Sequence, residues 1–204
     1  MKKVICYVDG FNLYHGLRSK GWKKYYWLDA WKLAERFLLP DQELIELVYS
    51  TARVKKKPKS RERQRAYIDA LEESYPKLSV IYGHYLAKEV RCKNCGHTYL
   101  RHEEMMTDVN IACKLLLDAV DGKFDTAIII SGDSDLVPPI RIIKAKFPEK
   151  RVLTLFSPKR FSVNLCSESH GWRRIAESDL WQSQLPKNVN SQSGTTLLRP
   201  SEWV

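Results

Sequence analysis

Four aspartates stand where an α/β chain would gather them. Asp9 closes the apolar run Val4–Val8, Asp133 and Asp135 follow the most apolar run, Ala127–Ile130, and Asp108 opens the stretch Thr107–Val120. In an open parallel sheet, ligands bind beyond the carboxyl ends of the strands, where the strand order reverses. If the strands that end at Asp9 and before Asp133 are neighbours there, their carboxylates converge on one edge, and Asp108 can face the same cleft. Carboxylates gathered in this way repel one another unless a cation compensates them. Hard oxygen donors in that number suit Mg²⁺ or Mn²⁺, which keep several waters and bind phosphates. Such an ion polarises a phosphodiester and activates water for in-line attack. A plainer reading stands beside this one. An aspartate between strand and helix is often an N-cap, worth about 1 kcal/mol, and this applies most to Asp135, just ahead of a helix expected at Leu136–Lys146. Asn12 reads equally as a ligand or a cap. Asp108 differs, because it shares one helical face with Ala112, Leu115 and Ala119, which sets a carboxylate on the buried side.

The elements that must position these groups follow from short β-rich runs alternating with helical segments, the pattern of an α/β fold with a central parallel sheet. Strands are predicted at Lys3–Val8, Leu44–Thr51, Leu78–Tyr82, Thr126–Ser131 and Arg151–Phe156. Continuous apolar runs such as Ala127–Ile130 suit strands covered on both faces. Helices are predicted at Phe11–Ser19, Ala30–Leu38, Ser60–Ser74, Thr107–Val120, Leu136–Lys146 and Phe161–Ser169. Tyr85–Met106 falls outside the alternation and reads as an insert. From residue 183 the composition turns polar, which predicts an extended tail over 183–204 after a single domain over 1–182, with Trp203 able to dock it.

The chain has 204 residues, 44% of them hydrophobic, enough for a substantial core without disulfides. No apolar run approaches the roughly 20 residues of a membrane span, and Val4–Val8 is too short for a secretory leader, so a soluble cytoplasmic protein is expected. Thirty-four Lys and Arg against 24 Asp and Glu give a net charge of +10, which favours a polyanionic partner such as nucleic acid. The charge concentrates in the segment Arg53–Arg65, where Arg53, Lys55, Lys56, Lys57, Lys59, Arg61, Arg63 and Arg65 accompany one acid, Glu62. Starting at the sheet edge that carries Asp9, this segment can hold a phosphate backbone without reading its sequence; its plainer reading is a solvated loop and helix face. Tyr49, Tyr67 and Tyr82 offer faces to unpaired bases, although core or sheet roles suit them better.

Among the five cysteines, Cys92 and Cys95 have the spacing of a zinc knuckle, with Gly96 closing the turn. His84, His97 and His102 are near enough in sequence to complete a structural Zn²⁺ site; a metal-free turn and a redox pair are the alternatives. Cys6, Cys113 and Cys166 lie in apolar stretches and read as core residues. No GxSxG, Walker A or GxGxxG motif is present.

Three blocks now carry a resemblance: Tyr7-Val8-Asp9-Gly10-Phe11-Asn12-Leu13-Tyr14, Thr107-Asp108-Val109-Asn110-Ile111-Ala112 and Ile130-Ser131-Gly132-Asp133-Ser134-Asp135-Leu136. In this order they resemble the NYN-domain family, in its LabA-like branch of the PIN-like nucleases, over about Lys3 to Phe156. The resemblance implies a Rossmann-like three-layer sandwich and metal-dependent hydrolysis of phosphodiester bonds, most often in RNA. It implies Asp9, Asp108 and Asp133 as metal ligands, Asp135 as accessory and Asn12 as the matching asparagine. Met105 stands where similar chains often have lysine. A haloacid-dehalogenase-type phosphatase shares a GDSxxD-like element, but its nucleophile would need a second aspartate where Phe11 stands. The reading is a ribonuclease acting on single-stranded RNA, which a homodimer would serve by lengthening the basic track. The competing class is a nucleic-acid-binding or regulatory protein that keeps the fold without catalysis.

Overall fold

β1 (Lys2–Asp9) organises the molecule. Val4, Cys6 and Val8 turn to one face and Ile5 and Tyr7 to the other, as the two-residue period of a strand requires, and all five are fully buried. A strand apolar on both sides needs cover on both sides. α1 (Gly10–Ser19), α2 (Ala30–Glu35), α3 (Pro58–Ser74) and α7 (Glu177–Gln182) supply it on the first face, through Leu13, Leu33, Ile68 and Leu180. α4 (Thr107–Val120), α5 (Val137–Lys146) and α6 (Val163–Glu168) supply it on the second, through Ile111, Leu115, Ile140 and Leu165.

The computed structural model describes residues 1–54, 57–191 and 194–203. Among them the main sheet runs β4-β3-β2-β1-β5-β6-β7, with β2 (Gln42–Ala52), β3 (Leu78–Arg91), β4 (Thr98–Met105), β5 (Thr126–Ile130), β6 (Arg151–Phe156) and β7 (Gly171–Arg174). Six strands are parallel, and β4 runs antiparallel to β3. From β1 the chain builds β2 and β3 on one side, then returns through α4 to β5 on the other. The strand order therefore reverses between β1 and β5, the pair expected from the sequence. α4 is fastened across β1 by Asp118, whose fully buried carboxylate accepts from Tyr7 Oη at 2.8 Å, Lys114 Nζ at 2.6 Å and Lys123 Nζ at 3.0 Å. Burial pushes the Asp118 carboxyl up, but these donors outweigh it and hold the group below its ordinary range.

The structure departs from the sequence reading in four places. Tyr85–Met106 is not outside the sheet: β3 continues to Arg91, and β4 returns along it to make a hairpin arm. Side chains such as Glu89, Arg91 and Thr98 are exposed on that arm, so no apolar alternation marks it as strand. β7 is a four-residue edge strand, too short to announce itself. The stretch expected to be extended from residue 183 folds back: β8 (Asn188–Asn190) and β9 (Thr196–Leu198) pair antiparallel, followed by a 3₁₀ turn over Ser201–Trp203. Leu185 and Val189 are buried, and Trp27 Nε1 donates to the Pro186 carbonyl at 2.7 Å. Cys6 is buried as expected, but Cys113 is exposed and Cys166 half-buried, because their helices turn only one face to the sheet. Among the described residues, no helix is long and apolar enough to cross a membrane.

Candidate active site

Three hydrogen bonds bring the aspartates together. Asp9 ends β1 and caps α1, its Oδ1 accepting the Asn12 N–H at 2.9 Å. Across the switch point, Ser131 follows β5 and donates from Oγ to Asp9 Oδ2 at 2.9 Å. On the other side Ser50, paired in register with Asp9, donates to the Thr107 carbonyl at 3.1 Å and so pins the start of α4 beside β1. That start is tightly built. Met106 takes a left-handed conformation with φ 76°, and a Cβ on Gly83 would lie 2.5 Å from the Met105 carbonyl. A non-glycine residue at such a φ costs about 1 kcal/mol or more, and here it sets where Asp108 begins the helix.

The result is a cleft of about 280 Å³ lined by Asp9, Asp108 and Asp133 together with Thr107, His15 and Arg160. Asp9 is 6% exposed. Burial pushes its carboxyl above the ordinary range; the Asn12 and Ser131 hydrogen bonds act against this, and the Asp133 charge reinforces it. Asp133 caps the turn Ser134–Leu136, its Oδ1 accepting the Asp135 N–H at 3.0 Å. The cap reading therefore holds for Asp9 and Asp133, which also line the cleft, and fails for Asp135, because α5 begins without a side-chain cap. Asp135 is exposed and stands outside the lining. Asn12 lines the cleft, but its amide oxygen accepts from the Gly132 N–H and the Ser157 hydroxyl, both at 3.1 Å, tying α1 to the ends of β5 and β6.

Arg160 and His15 escaped the sequence reading. Arg160 follows β6 in the loop that closes over Gly132, where a Cβ would come within 2.8 Å of the Arg160 carbonyl. Its signal was its place beyond the carboxyl end of a parallel strand. His15 faces the cleft one turn into α1, and burial together with Arg160 and Arg18 lowers its pKa.

Among the described residues no three His, Cys, Asp or Glu side chains stand close enough to share a metal ion. The donor chemistry still fits a hydrated Mg²⁺ or Mn²⁺. Mg²⁺ keeps several waters and binds through one or two carboxylates; Asp9 is a buried carboxylate held by neutral donors, and the buried Thr107 hydroxyl has no described partner.

The basic segment is split. Lys57 and Arg63 line a second cavity together with Tyr49 and Tyr67, which are core residues. Arg53 lies over the Tyr82 ring at 4.3 Å, and Arg65 pairs with Asp69 at 3.4 Å. Lys59 and Arg61 are exposed; Lys55 and Lys56 lie outside the described residues. Cys92 and Cys95 sit at the tip of the hairpin arm, where Gly96 takes φ 70°. The Cys92 thiol is lowered by the Cys95 and Asn94 N–H groups and by the Cys95 side chain. These two cysteines make half of a tetrahedral zinc set. His84 and His97 are exposed, and the side chain of His102 lies outside the described residues.

Comparison with known proteins bears on the same elements. The chain is 27% identical over 240 aligned positions to 6-hydroxy-3-succinoylpyridine 3-monooxygenase HspA of Pseudomonas putida (strain DSM 28022 / S16), with 98% of this chain and 75% of that protein covered. Its fold is similar to the crystal structure of VPA0982, a protein of unknown function from Vibrio parahaemolyticus RIMD 2210633. That match has a TM-score of 0.58 at 19% identity, over 90% of this chain and 96% of the other. Residues 3–172, which span β1 to β7 and every aspartate of the cleft, match the NYN domain model, and the chain belongs to the NYN-domain family.

Proposed function

We propose that the chain is a divalent-metal-dependent ribonuclease that hydrolyses phosphodiester bonds of single-stranded RNA in the cleft between β1 and β5. One observation carries this reading: Asp9, Asp108 and Asp133, from three distant parts of the sequence, line one cleft with Arg160. Asp9 with one of Asp108 and Asp133 would hold a hydrated Mg²⁺ or Mn²⁺, which when bound polarises a phosphoryl oxygen and makes a bound water more acidic. The Arg160 guanidinium donates to phosphate oxygens, a planar fork matched to that geometry, and offsets charge that builds as the bond to the leaving oxygen breaks. Ser131 and the Asn12 N–H hold the Asp9 carboxylate in one orientation, so no side-chain freedom is lost during reaction. The Thr107 hydroxyl offers a further hydrogen bond at the cleft wall. The exposed cations around the cleft retain the strand.

The test is incubation of labelled single-stranded RNA with the purified protein and Mn²⁺, beside Asp9→Asn and an EDTA control. Cleavage lost in both controls establishes the metal nuclease, and cleavage that persists in the variant marks a contaminant. Salt-sensitive binding without cleavage moves the reading to a non-catalytic nucleic-acid-binding module. A second reading comes from the name of the Pseudomonas relative, and the aromatic cavity beside the cleft gives a heteroaromatic ring a place here. Its mark is dioxygen uptake with 6-hydroxy-3-succinoylpyridine and a two-electron donor. The carboxylate-dominated lining favours hydrolysis over it, because the common iron oxygenase triad takes two histidines and one carboxylate, whereas His15 is the one described histidine of this cleft.

A further inference from the structure

Between α1 and α3, over the carboxyl end of β2, lies a cavity of about 650 Å³. Protein interiors leave few voids larger than a water molecule, and this volume falls within the range of ligand sites. The floor is tyrosine: Tyr49 and Tyr67 are buried there, and Gly10 is required because a Cβ at that position would meet the Tyr49 ring at 2.5 Å. At the mouth Tyr14 is 41% exposed, with the Tyr26 ring 5.0 Å away. Trp203 also lines the cavity, 5.6 Å from Tyr26 and 6.3 Å from Tyr67. Arg18, Lys23, Lys57 and Arg63 complete the lining, and Phe11 and His15 line both this cavity and the acidic cleft.

We propose that this cavity holds the base of a nucleotide adjoining the scissile phosphate, an inference that rests on the hydrolase reading above. Aromatic faces stack on any base, and exposed cations hold the flanking phosphates without reading sequence. The shared wall of Phe11 and His15 makes the two sites neighbours, as consecutive units of one strand require. Polar bonds and ring packing together hold Trp203 in place. Glu202 pairs with Arg63 at 2.7 Å, and the Arg199 guanidinium donates to the carbonyls of Lys24 and Trp203. Ring contacts with Tyr26, Trp27 and Tyr67 set the Trp203 face against the core.

The test is equilibrium binding in EDTA, where cleavage does not interfere. The probes are a short labelled oligoribonucleotide, the same strand with an abasic position scanned along it, adenosine monophosphate and ribose 5-phosphate. Tyr14→Ala and Trp203→Ala are expected to bind the strand about 10-fold more weakly, the size of one lost stack, while Tyr14→Trp, which keeps a face, restores affinity. One abasic position weakens binding to the unaltered protein by a similar factor and adds nothing in Tyr14→Ala. Adenosine monophosphate binds more tightly than ribose 5-phosphate. Equal strand affinity in a folded Tyr14→Ala, or no advantage of adenosine monophosphate over ribose 5-phosphate, overturns the site. Mononucleotide binding that Tyr14→Ala weakens, with strand binding unmoved, overturns it in favour of a free nucleotide. The two readings fail separately. The expected binding losses without Mn²⁺-dependent cleavage keep the base site and remove the hydrolase, whereas unchanged kcat and KM in Tyr14→Ala and Trp203→Ala keep the hydrolase and remove the base site.

Discussion

Replacing Asp9 by asparagine is expected to stabilise the metal-free protein while abolishing cleavage, because the carboxylate is held where a charge is costly. Asp9 is 6% exposed, its two oxygens accept from the neutral Asn12 N–H and Ser131 O–H, and Asp133 repels it. A buried ion carries a penalty of several kcal/mol, offset here by two hydrogen bonds to a charged acceptor at about 1.5–3 kcal/mol each. Asparagine keeps the volume; its Oδ1 accepts the Asn12 N–H and its Nδ2 donates to Ser131 Oγ, at about 1 kcal/mol each. The charge is gone, and the balance favours the variant by ~1–2 kcal/mol, or ~2–8 °C in Tm at this chain length.

Metal and pH turn this into a sharper test. Mn²⁺ at 100 times its Kd adds about 2.7 kcal/mol to a protein that binds it only when folded, so in MnCl₂ the unaltered protein becomes the more stable of the two. Because the folded-state pKa of Asp9 is raised, the folded protein binds this proton more tightly than the unfolded chain. The penalty is absent below the unfolded value and fully present above the folded one. In EDTA the gap between the two proteins therefore opens as pH rises through that window and closes in acid. Calorimetry in EDTA and in MnCl₂, with RNA cleavage measured on the same samples, reads all of this. A variant less stable than the unaltered protein in EDTA, or a protein whose Tm ignores Mn²⁺, rules out a costly Asp9 charge that the metal compensates.

Three further outcomes are expected. Asp118→Ala leaves Tyr7 and two lysines without their shared acceptor and should cost about 3–5 kcal/mol in chemical denaturation; a loss under 1 kcal/mol would deny the carboxylate its place as the fastener of α4. His170 accepts the Val152 N–H at Nδ1 at 3.0 Å, and burial, with Arg151 and Lys144, lowers its pKa. Its contribution is thus complete above the unfolded value and lost as pH falls through the folded one. His170→Asn, whose Oδ1 replaces Nδ1 without titrating, should flatten the fall in Tm that begins as pH drops below about 6.5. RNA binding in EDTA should depend steeply on salt: Arg18, Lys23, Lys57, Lys59, Arg61 and Arg160 are exposed, and about 0.7 counterion per single-strand phosphate contact gives a log–log slope near −4. Affinity then falls ~300-fold between 50 and 200 mM salt, and a slope shallower than −2 would take these cations off the strand.

How much of this was legible follows from where each signal lives. β1, β5 and their aspartates could be read because a buried parallel strand is a run of apolar residues and its end is abrupt. Asp108 betrayed itself by sharing a face with Ala112, Leu115 and Ala119. The hairpin arm left no such trace, since described side chains on it such as Glu89, Arg91 and Thr98 are exposed and periodicity records burial rather than strand geometry. Arg160 was hidden differently: nothing local separates it from Lys159, and only the closeness of the β6 loop to Gly132 selects it. The aromatic cavity is the extreme case. Tyr14, Tyr49, Tyr67 and Trp203 come from α1, β2, α3 and the last turn, and each has an adequate local reading as core, sheet or docking residue. What makes them a site is a space that they surround, and space is set by how the elements pack. A polar stretch such as 183–201 looks disordered when judged by composition, yet it returns Trp203 to that space through Arg199 and Glu202. Charge and apolar runs announce the acidic cleft of such a fold, whereas the aromatic cavity beside it is assembled from residues whose local roles are ordinary.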